Sequence, residues 1–180
     1  RTRASGTPLY GYASSSRTLG FPVKAFTETQ YSSTSTPDEY ALGFMLPSGF
    51  GATMQIGGVR ITGRCSAAAK SLLVTLYDGT TSLQDVTFDT DDFVSNASGF
   101  RSMDFIFDET TLSTLTVGSM YRLGFAPQDT AHNFALCVME TSTASDLDAF
   151  PGGTDFVLST RTDSGAWDAD STTKRPIAEF

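Results

Sequence analysis

Histidine occurs once, tryptophan once and cysteine twice in 180 residues, and each scarcity removes a chemistry. A nucleophilic Ser or Cys needs a base beside it, and His132 is the only imidazole available. It sits in the loop Gln128-Asp129-Thr130-Ala131-His132-Asn133, no Gly-x-Ser-x-Gly elbow occurs anywhere, and it reads as a solvated side chain. A zinc site wants more Cys or His partners than these. Cys65 and Cys137, 72 positions apart, read as small buried thiols rather than a bridge. Long apolar runs are missing too: none approaches the roughly 20 residues of a spanning helix. The opening Arg1-Thr2-Arg3-Ala4-Ser5-Gly6 has no apolar signal core behind it. Positive charge is short, with 12 Lys and Arg against 20 Asp and Glu, a net charge of -8 and a pI near 4.4. A surface of that sign repels phosphate, so neither nucleic acid nor an anionic membrane is an expected partner.

What fills the space is hydroxyl. Ser and Thr number 21 and 26, while apolar residues make up 39% and charged residues 18%, both low for a globular chain. Fourteen Phe argue against wholesale disorder, and the mixture excludes collagen, coiled coil and a disulfide scaffold. Residues 1–20, rich in Ser, Arg, Thr and Gly, read as a linker or the trailing end of a preceding domain. The ending Lys174-Arg175-Pro176-Ile177-Ala178-Glu179-Phe180 stops within an apparent strand, so the chain reads as a piece of something longer.

Residues 21–180 read as one β-sandwich domain. After the polar loop Tyr31–Glu39, period-two alternation takes over: Leu42, Phe44 and Leu46; Val59 and Ile61; Leu72, Val74 and Leu76. It continues through Val86 and Phe88; Met103, Phe105 and Phe107; Tyr121, Leu123 and Phe125; Phe134, Leu136 and Val138; Phe156 and Leu158; and a last strand from about Ile177. Eight or nine short strands with one wet face each predict an all-β, two-sheet antiparallel sandwich, jelly-roll-like in order. The single helical signal is a short turn near 145–150, in Ser145-Asp146-Leu147-Asp148-Ala149-Phe150.

Candidate sites are few. Any acidic chain offers carboxylate pairs, so its 15 Asp and 5 Glu do not point to a glycosidase. The densest acids, Asp85, Asp89, Asp91 and Asp92 running into Asn96, lack the Gly and Glu of an EF-hand loop and read as loop acidity. Asn96-Ala97-Ser98 fits the glycosylation sequon, a pattern common by chance. For sugar binding the candidates are Trp167 for stacking, with Tyr77, facing outward before the turn Asp78-Gly79, and Arg161. The competing reading has Trp167 capping the open end of the core. No catalytic residue, metal or cofactor is expected.

Several segments stand in a familiar order: Ser35-Thr36-Pro37-Asp38-Glu39, Leu76-Tyr77-Asp78-Gly79, Gly118-Ser119-Met120-Tyr121-Arg122-Leu123, Phe150-Pro151-Gly152-Gly153-Thr154-Asp155-Phe156, Thr160-Arg161-Thr162-Asp163-Ser164-Gly165-Ala166-Trp167 and Thr172-Thr173-Lys174-Arg175-Pro176. Together they resemble the C-terminal β-sandwich module of tandem β-sandwich proteins encoded by tailed phages and phage-like gene clusters. The likeness spans about residues 21–180 and is most specific from Phe150 to Pro176. It implies a non-enzymatic structural module of a virion, as head decoration, fibre or tail part. Its implied partners are other virion proteins and further copies of itself, with host-surface glycan as a further one. The alternative expectation is a carbohydrate-binding module of a secreted or cell-surface protein, extracellular rather than virion-bound.

Overall fold

The computed structural model describes residues 25–46, 51–65, 71–89, 101–129, 134–140, 156–168, 170–171 and 173–179. Thirteen strands occur there: β1 (Ala25–Tyr31), β2 (Glu39–Met45), β3 (Thr53–Gln55), β4 (Gly58–Cys65), β5 (Ser71–Asp78), β6 (Thr81–Asp89), β7 (Arg101–Ile106), β8 (Thr114–Thr116), β9 (Met120–Pro127), β10 (Phe134–Glu140), β11 (Phe156–Arg161), β12 (Lys174–Pro176) and β13 (Ala178–Glu179). Every pairing is antiparallel. The helical turn expected near 145–150 lies outside the described residues, as do His132, Asp91, Asp92 and Asn96.

One sheet runs β1-β10-β4-β7 and the other β11-β2-β9-β5-β6, with β3 and β8 as a separate ribbon. Strands near in sequence alternate between sheets, while β1 pairs β10, β2 pairs β9, β4 pairs β7 and β5 pairs β6. That nesting is the jelly roll predicted from the alternation, with β11 added beside β2. The turn joining β5 to β6 is two residues long, and Gly79 there takes φ +60°, as a primed hairpin turn requires.

The inward faces are the alternating sets read from the sequence. Leu42, Phe44, Ile61, Leu72, Val74, Leu76, Phe105, Leu123, Phe125, Phe134 and Leu136 are buried in one core. Within it, rings link the two sheets in relay. Phe88 on β6 meets Phe105 on β7 edge to face at 4.5 Å, Phe105 meets Phe125 on β9 at 5.9 Å, and Phe125 stacks on Phe134 of β10 at 6.4 Å. Four of the fourteen Phe are thus used to bind sheet to sheet.

Cys65 and Cys137 lie on adjacent strands of one sheet but point to opposite faces. Cys65 is in the core with Phe134 and Leu136, whereas Cys137 alternates with those residues. Both are buried thiols, and burial pushes the Cys65 thiol up to about 11.

The sheet β1-β10-β4-β7 departs from a simple jelly roll at its centre. Strands β10 and β4 pair only where Phe134–Leu136 meet Gly63–Cys65. Beyond that they diverge, and residues 174–179 occupy the fork. β12 pairs with β10 (Val138 with Pro176, Glu140 with Lys174), and β13 pairs with β4 (Ile61 with Ala178). Since β10 and β4 are themselves antiparallel, the chain direction must turn at Ile177. That residue bridges both sides: its N–H donates to the Cys137 carbonyl and its carbonyl accepts from Thr62 N–H, each at 3.1 Å.

Candidate functional site

The outer face of the sheet β11-β2-β9-β5-β6 is where the alternation expects polar residues in water. Glu39, Ala41 and Gly43 of β2, Arg122 and Gly124 of β9, Thr75 and Tyr77 of β5, and Val157, Ser159 and Arg161 of β11 all fall on it. Yet it is largely dry: Ser159 is 0% exposed, Arg161 4%, Glu39 5% and Tyr77 7%.

The cover comes from the residues after β11. Thr162–Gly165 form a tight turn, with Asp163 and Ser164 at φ 51° and 57° and Gly165 N–H bonded to the Thr162 carbonyl at 2.9 Å. Two successive left-handed residues mark the type I′ geometry that sends a strand straight back. The returning chain lies along β11: Asp168 N–H donates to the Thr160 carbonyl at 2.7 Å, and Ser171 N–H to the Leu158 carbonyl at 2.8 Å. The turn is pinned to the start of β2 by Asp163 N–H donating to the Asp38 carboxylate. This return segment carries Trp167 and Asp170 over the face.

The three residues selected as a sugar platform do come together. The Arg161 guanidinium carbon lies 4.4 Å from the Tyr77 ring centre and 4.5 Å from that of Trp167, and the two rings meet edge to face at 5.5 Å. Trp167 does not cap the open end of the core. Its Nε1–H donates to the Gly79 carbonyl at 2.9 Å, fixing it above the β5–β6 turn.

Arg161 donates from Nε to Glu39 Oε2 at 2.6 Å and from a terminal nitrogen to the Tyr77 hydroxyl at 2.5 Å. Burial pushes the Glu39 carboxyl above its ordinary value, against the opposing pull of Arg161. Burial likewise raises the Tyr77 phenol, with the Glu39 charge adding to it. Glu39 Oε1 has no hydrogen-bond partner among the described residues. It occupies the place where residue 124 would carry its side chain, since a Cβ built there falls 2.0 Å from Oε1 and 2.8 Å from Tyr77 Cε2. Only glycine leaves this carboxylate its room.

A second knot lies beside the first. Arg122 donates to Ser159 Oγ at 3.1 Å and to Asp170 at 3.1 Å, and its guanidinium sits 5.8 Å from the Trp167 ring centre. Ser159 Oγ in turn donates to Asp170.

The sequence selected Trp167, Tyr77 and Arg161 but missed Glu39, Gly124, Arg122, Ser159 and Asp170. The one available signal was a Gly at an outward position of a strand otherwise full of side chains. Of the selected three, Arg161 and Tyr77 are enclosed and mutually satisfied, and only Trp167 keeps part of its surface exposed. Among the described residues no group of three His, Cys, Asp or Glu can hold a metal ion. Segments far apart in the chain meet in this cluster: Asp38-Glu39, Tyr77 to Gly79, Arg122, and Arg161 to Trp167. In the folded chain these residues fasten the segment after β11 to the sheet. No family model matches the chain, and no curated protein matches it.

Proposed function

We propose that this domain is a non-enzymatic structural module of a tailed-phage virion, working by packing against neighbouring subunits rather than by turning over a substrate. The observation that carries the reading is the closed cluster on the outer sheet face. Its charged and aromatic groups bond to one another, and they come from four of the six segments on which the resemblance rests. A Thr- and Ser-rich acidic jelly roll suits that role, because strands with protected edges resist unwanted pairing while loops remain for assembly. Two edges are visibly managed. The return segment covers β11, and Ser113 sits against β6, its N–H donating to Gln84 Oε1 at 2.7 Å and its hydroxyl to the Leu83 carbonyl.

The test is the particle state of the native protein, read by imaging and mass photometry of the purified source. Regular copies on a particle are expected, and a free secreted monomer would overturn the proposal. Carbohydrate binding is the second reading, favoured by the partly exposed Trp167 ring beside Arg161. Glycan-array binding lost on Trp167→Ala would move the conclusion there, and absent or unchanged binding would remove it.

A further inference from the structure

A sheet whose two central strands part to admit a short foreign-looking segment has the form of a strand-acceptor site. The fork between β10 and β4 has both arms built without the segment. β10 is paired along its whole length to β1, and β4 along Gly58–Gly63 to β7, and the arms join each other at Phe134–Leu136. What fills the fork is six residues, Lys174–Glu179, bonded by backbone to both arms through Ile177. The incoming tether runs along the exposed edge of β11 on two backbone hydrogen bonds, and its turn at Asp163–Ser164 holds two non-glycine residues in the left-handed region.

We propose that this fork takes the Lys174–Glu179 segment of a second copy, so that copies of the chain join by exchanging strands. The inference rests on the assembly role proposed above and gives it a mechanism. Exchange reproduces the cis contacts in trans, so no new interface chemistry is required, and the return segment with its Trp167 and Asp170 contacts crosses together with the strand by opening at the Asp163–Ser164 turn. The chemistry of the segment selects the occupant. Among the described residues Arg175 is the largest fully buried side chain, 1% exposed, and it lies between Lys174 and a buried Pro176. The fork holds a guanidinium at that depth, and among strands only the same segment brings one to the same place with the same backbone pairings. The strand that fits is therefore another copy of this one.

The experiment holds the full chain near its urea midpoint at a series of concentrations, returns it to buffer and separates monomer from dimer. In parallel, the chain with Ile177→Cys carries a thiol beside Cys137, whose carbonyl accepts the residue 177 N–H. Dimer rising with concentration, and giving on oxidation an interchain 137–177 bridge while monomer gives the intrachain one, is the expected result. Monomer at every concentration overturns the inference, as does a dimer whose bridges are all intrachain, because such a dimer is held elsewhere. Should Ile177→Cys fail to fold, the wild-type chain is taken through the same step with a labelled peptide of residues 173–179. Retention of that peptide, and loss of retention when its Arg175 is changed to Glu, support the inference; no retention overturns it. Failure of the virion reading is separable. Particle-bound protein with only intrachain bridges defeats strand exchange alone, and an exchanging protein never found on particles defeats the virion role alone.

Discussion

Replacing Gly124 by Ala adds one methyl group at an outward-facing strand position, a change ordinarily worth about 0.5–1 kcal/mol. Here the new Cβ would stand 2.0 Å from Glu39 Oε1 and 2.8 Å from Tyr77 Cε2. The carboxylate has a flexible stem, but it cannot swing aside and keep its 2.6 Å bond to Arg161 Nε. Arg161, 4% exposed, would lose its counter-ion. Breaking one side of a buried ion pair costs about 3–5 kcal/mol. Against this, Ala lowers the entropy of the unfolded chain and returns about 0.4–1 kcal/mol. The net expectation is a loss of about 2–5 kcal/mol, which at a urea slope of about 2 kcal/mol/M lowers the midpoint by about 1–2.5 M. Equilibrium urea unfolding followed by Trp167 fluorescence gives this directly. The mechanism makes a second demand: Glu39→Ala and Gly124→Ala must be strongly non-additive, because once the carboxylate is gone the new methyl group meets only Tyr77. An unchanged midpoint for Gly124→Ala, or simple additivity in the double variant, would refute the reasoning.

Three further outcomes are expected. Glu39→Gln keeps an oxygen for Arg161 Nε without the charge. Burial raises the folded-state pKa of Glu39, so its share of stability is fully present below the ordinary Glu value of 4.5 and is lost as pH rises through the folded value. The stability of wild type relative to Glu39→Gln therefore falls from pH 4.5 upward in a series of urea melts, and a difference that grows with pH would show that Arg161 outweighs burial. Phe105→Ala, at the centre of the ring relay, should cost about 3–5 kcal/mol by thermal or urea unfolding, and a loss under about 1 kcal/mol would mean that the rings do not join the sheets. Ser164→Gly relieves a left-handed residue in a type I′ turn and should stabilise by about 0.5–1 kcal/mol; a lower melting temperature would contradict the turn assignment.

The jelly roll was legible because most long strands bury one face only, leaving a clean two-residue rhythm at Leu72–Val74–Leu76 or Met103–Phe105–Phe107. Strand β1, Ala25–Tyr31, carries no such rhythm (Phe26 and Tyr31 are its only large apolar residues), and it is held by its full-length ladder with β10. β12 was hidden for a different reason. Its buried Arg175 reads as a surface residue, and only its place in the fork keeps it from water. The cluster was half legible. Outward-pointing Tyr77 and the aromatic–cation pair of Trp167 and Arg161 stood out by residue type, but their enclosure depends on the type I′ turn, which brings the chain back over a face that alternation assigns to solvent. Glu39 closes a Ser- and Thr-rich stretch that reads as loop, so its pairing with Arg161, 122 positions later, had no local trace.

The opposed cysteines make the domain its own reporter. A disulfide between them would have to pass through the sheet, so the fold can move between oxidising and reducing surroundings without changing its covalent form. Each thiol instead records a different event. Cys65 becomes reactive when the two sheets separate, and Cys137 when the opposite face of β10 is uncovered. Thiol-labelling rates at the two positions would time those openings separately, in the wild-type chain and with no probe attached.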